Sequence, residues 1–88
     1  MEVQKVQIEV GGLAIDFELA RRLAAALAEK DDPEILLISW FDQKQDRFSP
    51  SGCQCEIKGE PGWEVYGRSH GGRLRIEVNG GEYVFWYS

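Results

Sequence analysis

The chain is poor in several things that would announce a function. No stretch approaches the run of about eighteen uninterrupted apolar residues that a membrane-spanning helix needs. The opening residues Met1-Glu2-Val3-Gln4-Lys5 lack the basic-then-apolar layout of a signal peptide, so the expectation is a cytoplasmic protein without a membrane contact. Positive charge is scarce: ten Lys and Arg stand against fifteen Asp and Glu, giving a net charge of −5 and a pI near 4.8. Nucleic-acid affinity rests on neutralising phosphates, so DNA and RNA are not expected partners. There are two cysteines and a single histidine, too few for a disulfide framework or a full zinc site. Cys53 and Cys55 are separated by one residue, a spacing at which two positions of a regular strand do not bridge easily. No recognised catalytic motif is present, so the expectation is a non-enzymatic protein without a cofactor.

What remains is an ordinary globular composition. At 88 residues, 43% hydrophobic and 28% charged, the chain reads as a single domain over residues 1–88. A chain of this size buries only roughly 60–65% of its unfolded surface, leaving no room for a deep cleft. The stretch Glu34 to Asp42, E-I-L-L-I-S-W-F-D, is the longest apolar run. Bounded by turn signals, it reads as a strand covered on both faces and is the candidate for the centre of the sheet.

In chain order, Val6, Ile8 and Val10 alternate with Gln7 and Glu9, predicting a half-buried strand from about Glu2 to Val10. Asp16 stands at a helix N-cap, with Glu18 in the first turn. Leu19, Ala20, Leu23, Ala24, Ala26 and Leu27 then recur at helical spacing to about Lys30, before Asp31-Asp32-Pro33 ends the helix. Gln43 to Gly52 is polar and punctuated by Pro and Gly, predicting an exposed loop or hairpin tip. Cys53, Cys55 and Ile57 alternate as a short strand. Trp63 to His70 fits either a strand or a helix; a helix is preferred, because Arg68 and His70 suit its C-terminal end and Gly71 can supply a left-handed terminator. Arg73 to Val78 and Glu82 to Ser88 flank Asn79-Gly80-Gly81 as a β-hairpin. A turn at Gly80-Gly81 sets Val78 opposite Tyr83, Ile76 opposite Phe85, Leu74 opposite Tyr87 and Arg75 opposite Trp86. The alternative at Asn79-Gly80 opposes Glu77 to Glu82 and is disfavoured. The predicted fold is α+β: a four- or five-stranded, mainly antiparallel sheet in the order β-α-β-(β)-α-β-β, with one long and one short helix on one face.

Trp40-Phe41-Asp42, Ser49-Pro50, the cysteine pair, Pro61-Gly62-Trp63-Glu64-Val65-Tyr66, Gly71-Gly72-Arg73-Leu74 and Asn79-Gly80-Gly81-Glu82-Tyr83-Val84-Phe85 together resemble a small prokaryotic family without assigned activity, met in sulfate-reducing bacteria and archaea. The resemblance covers the second half of the chain, from Ile38 on, and implies a compact α+β domain. Members tend to carry a His near the cysteines, which this chain lacks there, a departure that weakens any shared metal or redox role.

Three groups of residues carry chemistry. Cys53 and Cys55, with His70, could offer three ligands to a transition metal; the blander reading makes the cysteines small buried hydrophobes and His70 a favourable cation at a helix end. Asp42 and Asp46, with Lys44 and Arg47, form a charged loop that could hold a cation or perform acid–base work, or could equally be a solvated hairpin tip. The aromatics supply the third group. If both helices share one face, the other face exposes either Leu36, Ile38 and Trp40 or Ile35, Leu37 and Phe41, together with Val84 and Trp86 or Tyr83, Phe85 and Tyr87. Such a patch is a contact surface or a ligand groove. The favoured expectation is a domain that forms a homodimer through this open aromatic face, with Trp40, Trp63, Tyr66 and Trp86 as interface candidates. The alternative is a pocket for an unidentified small molecule or a metal, using the loop from Asp42 to Cys55.

Overall fold

The computed structural model describes residues 3–50 and 59–88. The elements run β1 (Gln4–Ile8), α1 (Phe17–Asp31), β2 (Leu37–Asp42), β3 (Arg47–Ser49), α2 (Gly62–Ser69), β4 (Leu74–Val78) and β5 (Tyr83–Tyr87). They form one five-stranded sheet in the order β1-β4-β5-β2-β3. Only β1 and β4 are parallel; the other neighbours are antiparallel. The α+β class, the strand-rich order and the C-terminal hairpin agree with the sequence pattern. The hairpin register does too: Val78 faces Tyr83, Ile76 faces Phe85, Leu74 faces Tyr87 and Arg75 faces Trp86.

Local signals explain the helices. Asp16 caps α1, its Oδ1 accepting from the Leu19 amide at 2.9 Å. Ala20, Ala24 and Ala28 are fully buried at four-residue spacing, and their small side chains let the helix sit close against β4 and β5. At the end of α2, Gly71 takes a φ of 83° and the Gly72 amide returns to the Gly67 carbonyl at 2.9 Å, closing the helix with the left-handed terminator its sequence predicts.

Three expectations are corrected. The central strand is β5, all five residues of which are buried; β2 lies nearer the edge, and Leu36 at its approach is 68% exposed. Within the polar stretch read as an exposed loop or hairpin tip, Arg47–Ser49 is not loop but a short strand paired with β2 across a tight turn, so the hairpin reading holds and the loop reading does not. Most consequentially, the two helices lie on opposite faces. Tyr83, Phe85 and Tyr87 pack with the alanines of α1, whereas Val84 and Trp86 pack with Trp63 of α2. The reason is the composition of β5 itself: Y-V-F-W-Y has no polar position, so each face needs its own cover. The predicted strand at Cys53 to Lys58 lies outside the described residues.

Candidate functional site

Among the described residues, those nominated from the sequence lie on both faces of the sheet rather than at one place. On the α1 face, Trp40 packs on Phe17 with ring centroids 4.6 Å apart, and the Arg47 guanidinium lies 5.5 Å from the Phe17 ring centre and 5.9 Å from that of Trp40. Arg47 also donates to Asp42 Oδ2 at 3.1 Å, while Asp42 Oδ1 accepts from the Gln45 amide at 3.3 Å. Asp42 is thus a buried carboxylate that ties the β2–β3 turn and holds the arginine over the aromatics. Asp46 has a φ of 51° and serves the turn with its backbone.

On the α2 face, Trp63 stacks on Phe41 at 4.8 Å with its ring inclined by 6°. Its carbonyl accepts from the buried Ser39 hydroxyl at 2.7 Å. Trp86 is 2% exposed, so the aromatic face expected to be open is closed by α2. Tyr66 stacks on His70, whose Nδ1 lies 3.0 Å from the Tyr66 carbonyl at the exposed end of the helix. Cys53 and Cys55 lie outside the described residues. Among the described residues, no group of three or more His, Cys, Asp or Glu side chains gathers to hold a metal.

Beside α2 runs a charged network that single-sequence patterning does not single out. Trp86 Nε1 donates to Glu64 Oε2 at 2.6 Å, Arg75 forks onto both Glu64 oxygens at 2.9 Å, and a further Arg75 nitrogen reaches Glu77 at 3.0 Å. Burial pulls the Arg75 pKa down, but the hydrogen bonds to Glu64 and Glu77 more than offset it and leave it raised. The sequence signal for this network was the alternation of Arg75 and Glu77 with apolar residues in β4, a strand whose polar face is not solvent. These side chains wall a groove of about 540 Å³ lined by Val3, Lys5, Glu64, Arg68, Arg75 and Trp86. A second groove, of about 340 Å³, lies on the α1 face between Val6, Leu27, Leu74 and Ile76.

Both grooves border β1, and β1 is an edge. Its inner side is satisfied: the Gln4 amide donates to the Arg73 carbonyl at 2.9 Å, and the Ile8 carbonyl accepts from the Asn79 amide at 2.8 Å. Because the backbone groups of successive strand residues alternate in direction, Lys5, Gln7 and Glu9 aim their amides and carbonyls outward. Among the described residues no strand pairs with that side. Lys5, Gln7 and Glu9 have exposed side chains on one face; Val6, Ile8 and Val10 are half-buried on the other.

Among the described residues no helix is long and apolar enough to cross a membrane. A search of curated proteins gives no match. Among solved structures, the chain is similar to a protein from Archeoglobus fulgidus, whose crystal structure was described as that of a novel protein. The two share 27% identity with a TM-score of 0.80 over 98% of this chain and 93% of the other. This neighbour supports a small α+β domain without assigned function, as the resemblance from Ile38 onward implied. A family model matches residues 3–87, nearly the whole chain, and the protein belongs to the family described as Domain of unknown function (DUF5619).

Proposed function

We propose that this protein is a non-enzymatic interaction domain that self-associates, with the outer edge of β1 as its working surface. The observation that carries the reading is the outward row of amides and carbonyls at Lys5, Gln7 and Glu9, on a strand that neither helix covers. An unpaired strand edge is a template for another strand, and strand addition is a recurrent mode of protein recognition. Both sheet faces over the inner strands are closed by helices, so contact through the aromatic face would require dislodging α2. Trp86→Glu would accordingly unfold the protein and report nothing about assembly.

The test uses native mass spectrometry of the untagged, reduced protein over a range of concentrations, beside Gln7→Pro. Proline at position 7 removes an amide that has no partner among the described residues, and edge strands tolerate it. The expected result is a dimer persisting to micromolar concentration for the parent and a monomer of unchanged circular dichroism for Gln7→Pro. A parent that stays monomeric throughout overturns the reading.

A further inference from the structure

We infer that the occupant of the β1 edge is a second copy of this chain, paired antiparallel about a two-fold axis at Gln7; the inference rests on the self-association reading and adds the partner's register. In that register Gln7 meets Gln7 of the other copy, Lys5 meets Glu9, Glu9 meets Lys5, and Val6 meets Ile8. The hydrogen-bond parity is correct. Lys5, Gln7 and Glu9 all present outward backbone groups, so each pair exchanges both amide–carbonyl bonds, as the narrow pairs of an antiparallel ladder require. Val6 and Ile8 fall at the non-bonded positions, where side chains approach closest, and extend the apolar groove beside Leu27 across the axis.

Charge selects this register over its neighbours. An axis at Val6 would set Lys5 against Gln7 and Glu9 against Val3, and an axis at Ile8 would set Lys5 against Gly11 and Glu9 against Gln7. Only the axis at Gln7 gives both charges an opposite partner. Within the subunit, Lys5 lies directly beside Arg75 of β4, a like-charge neighbour that costs rather than contributes. Among the described residues neither Lys5 nor Glu9 has an ion-pair partner. A facing Glu9 from the second copy supplies what Lys5 lacks, twice per dimer.

The experiment is a charge exchange. Lys5→Glu alone places Glu opposite Glu at both ends of the interface, and Glu9→Lys alone places Lys opposite Lys. Each variant is expected to dissociate roughly ten- to a hundredfold more readily than the parent. Mixing the two variants, one of them uniformly labelled with nitrogen-15, restores complementarity and yields a heterodimer that the label separates by mass from either homodimer. The double variant Lys5→Glu/Glu9→Lys returns to a homodimer of parental affinity. Thermal melts of each variant in the monomeric range control for folding. If the parent is a dimer but both single variants keep its affinity, the register is wrong while self-association stands. If the parent is a monomer, the self-association reading itself falls.

Discussion

A glycine inside a helix is ordinarily a weak position, and replacement by alanine gains about 1 kcal/mol. Gly67 reverses that expectation. A Cβ there would run into the Trp86 indole, 2.6 Å from its Cδ1, because α2 lies against the ring with nothing between. Gly67→Ala is therefore expected to lower stability by a net 1–3 kcal/mol or so, seen as a lower urea midpoint with an unchanged slope. Trp86 owes its burial to two glycines, since Gly72 is also in contact with it, and its one polar atom is satisfied by Glu64. Tyr87 is the opposite case: its hydroxyl is buried without a hydrogen-bond partner among the described residues, and burial pushes its pKa up to about 12. The folded state then holds the Tyr87 proton more tightly than the unfolded chain, whose tyrosine titrates near 10. Its contribution is fully present below about pH 10 and is lost as pH rises through about 12. Tyr87→Phe should leave neutral-pH stability unchanged or raised, because no bond is lost, and should flatten the alkaline decline. Some decline remains, since burial, with the charges of Glu82, Asp42 and Asp16, also raises Tyr83. Denaturant melts of the two proteins between pH 9 and 12 measure the difference.

At the scale of elements, the β4–β5 hairpin was legible in full, because its register is a local matter of turn residues and facing charges. The cap and span of α1 were legible too, but its stripe only in part: Ala20 and Ala24 are buried as read, whereas Ala26 and Leu27 are exposed and Ala28 takes the next buried position. What patterning could not supply was the side on which α2 packs: Trp63 and Gly67 define a buried stripe, but a stripe does not say which face of a distant sheet it meets. The answer lay in β5, where the absence of any polar residue demands two covers. Asn79 shows another long-range role hidden in a local motif. It was read as a turn residue, and its φ of 52° fits that part. Its side chain also accepts from the Val10 amide at 2.8 Å, and its own amide donates to Ile8, so the hairpin turn fastens the end of β1. Asn79→Ala forfeits both the left-handed preference and the acceptor, at a cost of about 1–3 kcal/mol. Asn79→Gly forfeits the acceptor alone and should cost less. Hydrogen exchange would show the loss first at Val10 in both variants.

For the whole molecule, the edge status of β1 is a property of sheet order, and no residue of β1 announces it. The alternation of Val6, Ile8 and Val10 with Lys5, Gln7 and Glu9 is legible as a half-buried strand; that its outer rim is unpaired follows only once β4 is found to be its sole neighbour among the described residues. Which nominated residues share a face is likewise a property of the sheet. Trp40 and Trp86 are both aromatic and lie on neighbouring strands, yet they belong to opposite faces. Assembly at the edge also has a thermodynamic signature: the parent's melting temperature should rise with protein concentration, since a dimer that dissociates on unfolding is stabilised by mass action. Gln7→Pro should melt at a temperature independent of concentration.

The parallel pairing of β1 with β4 also bears on how the protein is made. Gln7 and its neighbour Glu77 are separated by 70 positions, and at synthesis rates of about 5–20 residues per second β1 waits roughly 4–14 s for its partner to be made. The central strand β5 is translated after every other described element, so α1 and the β2–β3 pair emerge with no sheet to join. Until Tyr83 to Tyr87 clear the ribosome, the growing chain holds a strand edge and an apolar helix stripe without their proper cover. The order of translation thus makes β5 the described element whose emergence lets the sheet close.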